Sequence, residues 1–130
     1  MKILVAEDDL ASRKFMFKFF SKYGKCDTTV DGIEVLEAFS LALELQETYD
    51  LVCLDIMMPK VDGIEVLKTI RKMESHYKIE ESRKAKIIML TALGKTEYIS
   101  KALETEDATY IEKPIEINKL TSTMRELNLV

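Results

Sequence analysis

Two short apolar runs of this chain end abruptly in acid. Ile3-Leu4-Val5-Ala6 runs into Glu7-Asp8-Asp9, and Leu51-Val52-Cys53-Leu54 runs into Asp55. Continuous apolar runs of this length suit parallel strands buried on both faces. Open parallel sheets carry their functional groups just beyond the carboxyl ends of the strands. If these two strands are neighbours, Glu7, Asp8 and Asp55 converge on one small volume. Carboxylates that close raise one another's pKa. The economical remedy is a hard, oxygen-seeking divalent cation, with Mg2+ first in line.

Two more apolar runs stop at polar groups. Ile87-Ile88-Met89-Leu90 stops at Thr91, and a short run over residues 108–111 is closed by Lys113-Pro114. Taken singly, a Thr after a strand is a turn former and a Lys before Pro a surface residue. Asp9 and Asp62 read as caps for the helices that follow them. The joint occurrence carries the weight, because four of five predicted strands end in a charge-handling or reactive side chain on the same edge of the sheet. An aspartate that attacks phosphorus forms an acyl phosphate, which suits Asp55 as nucleophile or ligand. Glu7 and Asp8 would hold Mg2+, which would neutralise charge built up in phosphoryl transfer. Lys113 would pair with Asp55 at rest or with phosphoryl oxygens, and Thr91 would donate a hydroxyl hydrogen bond. There is no base-activated Ser, no Cys-His pair and no glycine-rich nucleotide cradle, so the phosphoryl group must come from elsewhere.

The elements that must position these groups alternate between strand and helix five times. Met16, Phe19, Phe20 and Tyr23 mark one apolar helical face, with Gly24 placed to end that helix. Residues 25–30 predict a second strand, and Asp31-Gly32 introduces a helix with core face Leu36, Phe39 and Leu43. Val66, Ile70, Met73 and Tyr77 keep helical spacing after Asp62. Residues 78–84 read as a long helix end or an exposed loop. Ile99, Ala102 and Leu103 mark a short fourth helix, and Ile117, Leu120, Met124 and Leu127 the last. Strands alternating with helices imply right-handed parallel crossovers and a three-layer α/β sandwich. Neither repeats nor a linker interrupt the pattern, and the expectation is one domain over residues 1–130 with no output domain.

Composition narrows the function classes. With 130 residues, 47% hydrophobic and 32% charged, the chain has the make-up of one ordinary globular domain. A net charge of −4 argues against broad attraction to nucleic acid or anionic lipid. The basic string Arg83-Lys84-Ala85-Lys86 reads as a solvated loop. Cys26 and Cys53 fall inside predicted strands and read as buried, inert thiols. His76 is the only histidine, so a Cys-His metal site is not credible. The first strand has no secretory signal before it, and no apolar stretch reaches bilayer length; a reduced, cytoplasmic compartment is expected.

Together, Ile3-Leu4-Val5-Ala6-Glu7-Asp8, Leu54-Asp55-Ile56-Met57-Met58-Pro59, Asp62-Gly63, Leu90-Thr91-Ala92 and Tyr110-Ile111-Glu112-Lys113-Pro114 resemble the receiver domain of bacterial two-component response regulators, of the stand-alone, chemotaxis-regulator-like kind. The resemblance covers essentially the whole chain, in order and at the family's spacing. It implies a flavodoxin-like, doubly wound (βα)5 sandwich with a parallel sheet of order 2-1-3-4-5. It implies that Asp55 is the phosphoacceptor, loaded by a histidine kinase or a histidine phosphotransfer protein. Glu7 and Asp8 would be the acidic pair for Mg2+, Met57 a further ligand through its backbone carbonyl, and Lys113 the phosphate partner before a cis peptide at Pro114. Thr91 and Tyr110 would form the switch pair. Phosphorylation would draw Thr91 inward, let the Tyr110 ring follow, and reshape the fourth helix, fifth strand and fifth helix for an unknown downstream protein. The protein would be a signalling phosphoacceptor that assists its own phosphorylation and dephosphorylation rather than an enzyme acting on other substrates.

Two departures from the family stand out. Glu7 occupies a place where many members have Asp, and Thr105-Glu106-Asp107-Ala108 replaces a small, Gly-containing turn, so the fourth helix is expected to end differently. Met57 and Leu93, each two residues past a site residue, are apolar and are expected to slow hydrolysis of the acyl phosphate. A Mg2+-dependent aspartyl-phosphate phosphohydrolase is the enzyme alternative, but it wants an acid at position 57. An unphosphorylated interaction domain is the third reading, against which the full set of site residues speaks. Homodimerisation through the last two helices is open to the chain, though no apolar patch there compels it.

Overall fold

The structure is a computed structural model that describes residues 1–92, 94 and 96–130. Five strands, β1 (Lys2–Ala6), β2 (Lys25–Thr29), β3 (Leu51–Asp55), β4 (Lys86–Thr91) and β5 (Thr109–Glu112), alternate with five helices. These are α1 (Leu10–Phe20), α2 (Gly32–Glu44), α3 (Gly63–His76), α4 (Glu97–Thr105) and α5 (Ile117–Glu126), with one 3-10 turn at Glu81–Arg83. All pairings are parallel and the sheet order is β2-β1-β3-β4-β5. The doubly wound flavodoxin-like sandwich expected from the sequence is the fold observed.

Every residue of β3 is buried, as its unbroken apolar run requires. One core layer joins Ile3, Val5, Cys53 and Leu90 of the sheet to Met16, Phe19 and Phe20 of α1 and Leu120 and Met124 of α5. The other joins Leu4, Val52, Leu54 and Met89 to α2, α3 and α4 through Val35, Phe39, Leu67, Ile70, Ala102 and Leu103. Truncating a buried leucine such as Leu54 to alanine in a layer this closed costs about 2–5 kcal/mol.

Several local expectations are corrected. Helix α1 ends at Phe20, before Gly24, with Ser21 as C-cap and a tight turn through Lys22 and Tyr23. Gly24 serves close approach instead, since a Cβ there would collide with the Met1 carbonyl. Tyr23 lies outside the helix yet still packs on Phe19. On α2 the fully buried position is Val35, whereas Leu36 is half-buried. On α3 the core residues are Ile64, Val66, Leu67 and Ile70; Tyr77 is the C-cap and is 41% exposed. Ile117, at the start of α5, points to solvent. In the basic string, Ala85 is buried rather than solvated. Residues 78–84 form a loop with its 3-10 turn, and both cysteines are free and buried. Without glycine after α4, Asp107 takes the left-handed conformation at φ 54°, and the Ala108 N–H closes the helix on Leu103 O at 2.9 Å.

Candidate functional site

Adjacent strands deliver the acids to one edge. β1 pairs with β3 in the register Ala6 to Leu54, so Glu7 and Asp55 leave the sheet side by side. Beyond β1 the chain is held by Glu7 N–H donating to Thr29 O at 3.1 Å. Beyond β3 it is held by Ile56 N–H donating to Leu90 O at 2.9 Å. Asp9 then caps α1 by accepting from Ser12 N–H at 2.9 Å, as its position suggested. Asp62 caps α3 by accepting from Ile64 and Glu65 N–H. Gly63 lets the start of α3 lie directly on the chain past Asp55, because a Cβ there would meet Ile56 Cα at 2.6 Å and Asp55 O at 2.7 Å.

Lys113 enters from the end of β5, where the Lys113-Pro114 bond is cis, and donates to both Glu7 Oε1 and Asp55 Oδ2 at 2.8 Å. The other Asp55 oxygen accepts from Met57 N–H at 3.0 Å. Glu7 is fully buried, and its Oε2 has no hydrogen-bond partner among the described residues. Asp8 is exposed, and one carboxylate oxygen from each of Glu7, Asp8 and Asp55 lies within 4.8 Å of the others. Burial, followed by the contact with Asp55, pushes Glu7 up to about 7, against the pull of Lys113. Burial also works against the Lys113 charge, but its hydrogen bonds to Asp55 and Glu7 outweigh that effect and raise its pKa. Among the described residues, one ammonium faces three carboxylates and one buried oxygen stands unsatisfied. That donor set, all hard oxygen and in charge excess, fits a small divalent cation.

Thr91 ends β4 and is buried at the same edge, one residue beyond the Leu90 that pairs with Asp55. Its carbonyl accepts from Lys113 N–H at 2.8 Å, which ties the ends of β4 and β5 together. Tyr110 sits lower on β5, opposite Met89, half-buried against the α2, α3 and α4 layer. Met57 is 61% exposed beside Asp55, while Leu93 lies outside the described residues. Arg13 went unnoticed in the sequence: its guanidinium donates to the Glu7 and Asp8 carbonyls at 3.0 and 3.2 Å. The signal was a basic residue one turn into the helix that follows the acids. The thiols have no part here, since burial pushes Cys26 up to about 11 and holds Cys53 protonated as well. No helix of the described residues is long and apolar enough to cross a membrane.

Comparison with known proteins bears on this geometry. Residues 3–125 match the response regulator receiver domain family. The chemotaxis protein CheY of Treponema pallidum (strain Nichols) is 33% identical over 92% of this chain and 76% of its own length. The probable transcriptional regulatory protein SilR of Salmonella typhimurium is 32% identical over 98% of this chain but only 50% of its own. The receiver domain of the Francisella response regulator 1452 superposes with a TM-score of 0.73 at 31% identity, covering 97% of this chain and 94% of that one. The chain spans about half or less of several curated relatives, regulators and hybrid histidine kinases among them. A match running over nearly all of the chain, on a sheet that brings the acids together, settles the family: the chain is a response regulator receiver domain, a module of two-component phosphorelays.

Proposed function

We propose that Asp55 is the phosphoacceptor of this receiver and that it acts as a signalling module by protein contact. The observation that carries the reading is the pair of hydrogen bonds from Lys113 to Asp55 and Glu7, which presents Asp55 at the strand end as an oriented carboxylate. An Asp55 oxygen attacks phosphorus of a phosphohistidine on a histidine kinase or phosphotransfer protein. The new P–O bond replaces the P–N bond, and the histidine nitrogen leaves as neutral imidazole with a proton from solvent. Glu7, Asp8, Asp55 and the Met57 carbonyl would hold Mg2+. When bound, that ion neutralises charge on the transferring phosphoryl oxygens.

After transfer the Lys113 ammonium pairs with a phosphoryl oxygen, and the Thr91 hydroxyl donates to another. Thr91 moves toward the group and Tyr110 turns in behind it, so the surface of α4, β5 and α5 changes for a downstream protein. The joined ends of β4 and β5 support this coupling, since Lys113 and Thr91 share a backbone hydrogen bond. Action as a separate module is supported by the Treponema relative, most of whose length this chain covers.

The test is intact-protein mass spectrometry after incubation with acetyl phosphate, with and without Mg2+. The native chain should gain one phosphoryl group only with the metal, and Asp55→Asn should gain none. Labelling of Asp55→Asn, or continuous phosphate release from a simple ester, would overturn the assignment.

A further inference from the structure

Helix α2 differs from its neighbours in what it shows to solvent. Ile33, Leu41 and Leu45 are 44%, 53% and 58% exposed and follow one another along the outer side of the helix and its C-cap, with Glu37 on the same stripe. A shallow groove runs along the helix, lined by Ile33, Leu36, Glu37, Ala38, Leu41 and Glu44. Glu34, Glu37, Glu44 and Glu47 are all exposed along the helix and just past it, with Lys60 at the Asp31 cap (3.4 Å) and Lys2 at Glu47 (3.8 Å) at the two ends. From Asp27 to Pro59 the chain contains no Lys, Arg or His. Neither Glu37 nor Glu44 has a salt-bridge partner among the described residues.

The end of the helix adds to this field. Its last turn carries no basic residue, so Glu44 lies at the negative end of the macrodipole, where a cation is favoured. Scattered surface leucines need no explanation. An apolar stripe whose Glu37 and Glu44 are in no salt bridge among the described residues, near a helix end that favours cations, has a definite complement. We propose that the outer face of α2 docks a cationic amphipathic helix of another protein. Apolar residues of that helix would cover Ile33, Leu41 and Leu45, and its Lys or Arg would reach Glu37, Glu44 and the α2 carboxyl end.

Among the described residues, a second copy of this chain would offer such chemistry most fully through α1, where Leu10 and Phe17 are exposed among Arg13, Lys14 and Lys18. Because α1 and α2 cover opposite faces of the sheet, that contact would be head-to-tail and open-ended. It would also bury α1 beside the acidic site. A different protein is therefore the better occupant, and its docking leaves the Asp55 edge open.

The test uses a fluorescent synthetic peptide of about 18 residues with leucines on one helical face and lysines at its rim. Its binding to the unphosphorylated native chain should be saturable, weaken with salt, and fall about tenfold or more in the Leu41→Ser, Leu45→Ser double variant. Glu37→Lys with Glu44→Lys should weaken it as much, and thermal melting of each variant checks that the fold persists. A scrambled peptide of the same composition should bind no better to the native chain than to the double variant. No binding to the native chain, or binding indifferent to these substitutions, would overturn the proposal. Concentration-dependent self-association in sedimentation, abolished by Leu41→Ser with Leu45→Ser, would overturn it in favour of a second copy.

Discussion

Both ends of the sheet bury an acid–base pair, and the two are built on opposite terms. At the amino end, Arg71 of α3 donates to Glu74 Oε1 at 2.8 Å and to the carbonyls of Ala85, Glu106 and Asp107 at 2.8 to 2.9 Å. The second Glu74 oxygen accepts from Ala85 N–H at 2.8 Å, so a carboxylate that is 1% exposed has a partner on each oxygen. At the carboxyl end, Lys113 is divided between two carboxylates, and Glu7 Oε2 is buried with no partner among the described residues. A satisfied buried pair fixes geometry, whereas an unsatisfied one holds a demand that a ligand can meet. The first joins α3 to the start of β4 and the end of α4. The second is where the proposed phosphoryl transfer to Asp55 would take place.

Breaking the satisfied end should have the largest effect. Arg71→Ala strands the Glu74 charge and three carbonyls, and should lower the unfolding free energy by about 3–5 kcal/mol in urea titration. The folded fraction should still label at Asp55. A loss below about 1 kcal/mol would mean that the Arg71 network is not the brace described here.

The unsatisfied end should show itself through pH. Glu7 holds its proton in the folded, metal-free protein up to about pH 7, against 4.5 for the ordinary side chain. Between those values the unfolded state binds fewer protons than the folded one, so stability falls as pH rises, the reverse of the usual carboxylate. With a chelator present, calorimetry across that window should show a decline on the order of 2–3 kcal/mol. Glu7→Gln should flatten the decline, and Mg2+ should reduce it for the native chain only. A flat native profile would place Glu7 among the satisfied groups.

The smallest effect belongs to Asp107, whose φ of 54° suits glycine better than aspartate. Asp107→Gly should stabilise the chain by about 0.5 kcal/mol or leave it unchanged in the same titration. Arg71 grips the Asp107 carbonyl rather than its side chain, so the brace survives the change. A marked loss would show that the Asp107 side chain holds the turn.

Local patterning was enough to reveal five strands, five helices, and the acids at the strand ends, because burial on two faces leaves no polar residue inside β1 or β3. The caps at Asp9 and Asp62 were equally plain, since a side chain accepting from an N–H two or three residues on is a short-range event. Helix ends were less legible. Gly24 looked like a stop signal, but its missing Cβ answers to Met1, which sequence distance conceals. Tyr77 and Ile117 kept apolar spacing yet face solvent, because periodicity reports a helix's own faces and not where the neighbouring layer stops.

Residue order along the chain therefore dictated which groups stand at the carboxyl edge of the sheet, since alternation of strand and helix permits little else. Their partnerships were set by contacts spanning large separations: Lys113 with Glu7 across 106 residues, and Arg71 with Glu106 across 35. Hydrogen-bond completion depends on distances of a few tenths of an ångström that no spacing rule encodes. For that reason Glu7 and Glu74 look alike as letters, and only the packed layers complete both oxygens of Glu74 while leaving Glu7 Oε2 without a partner among the described residues.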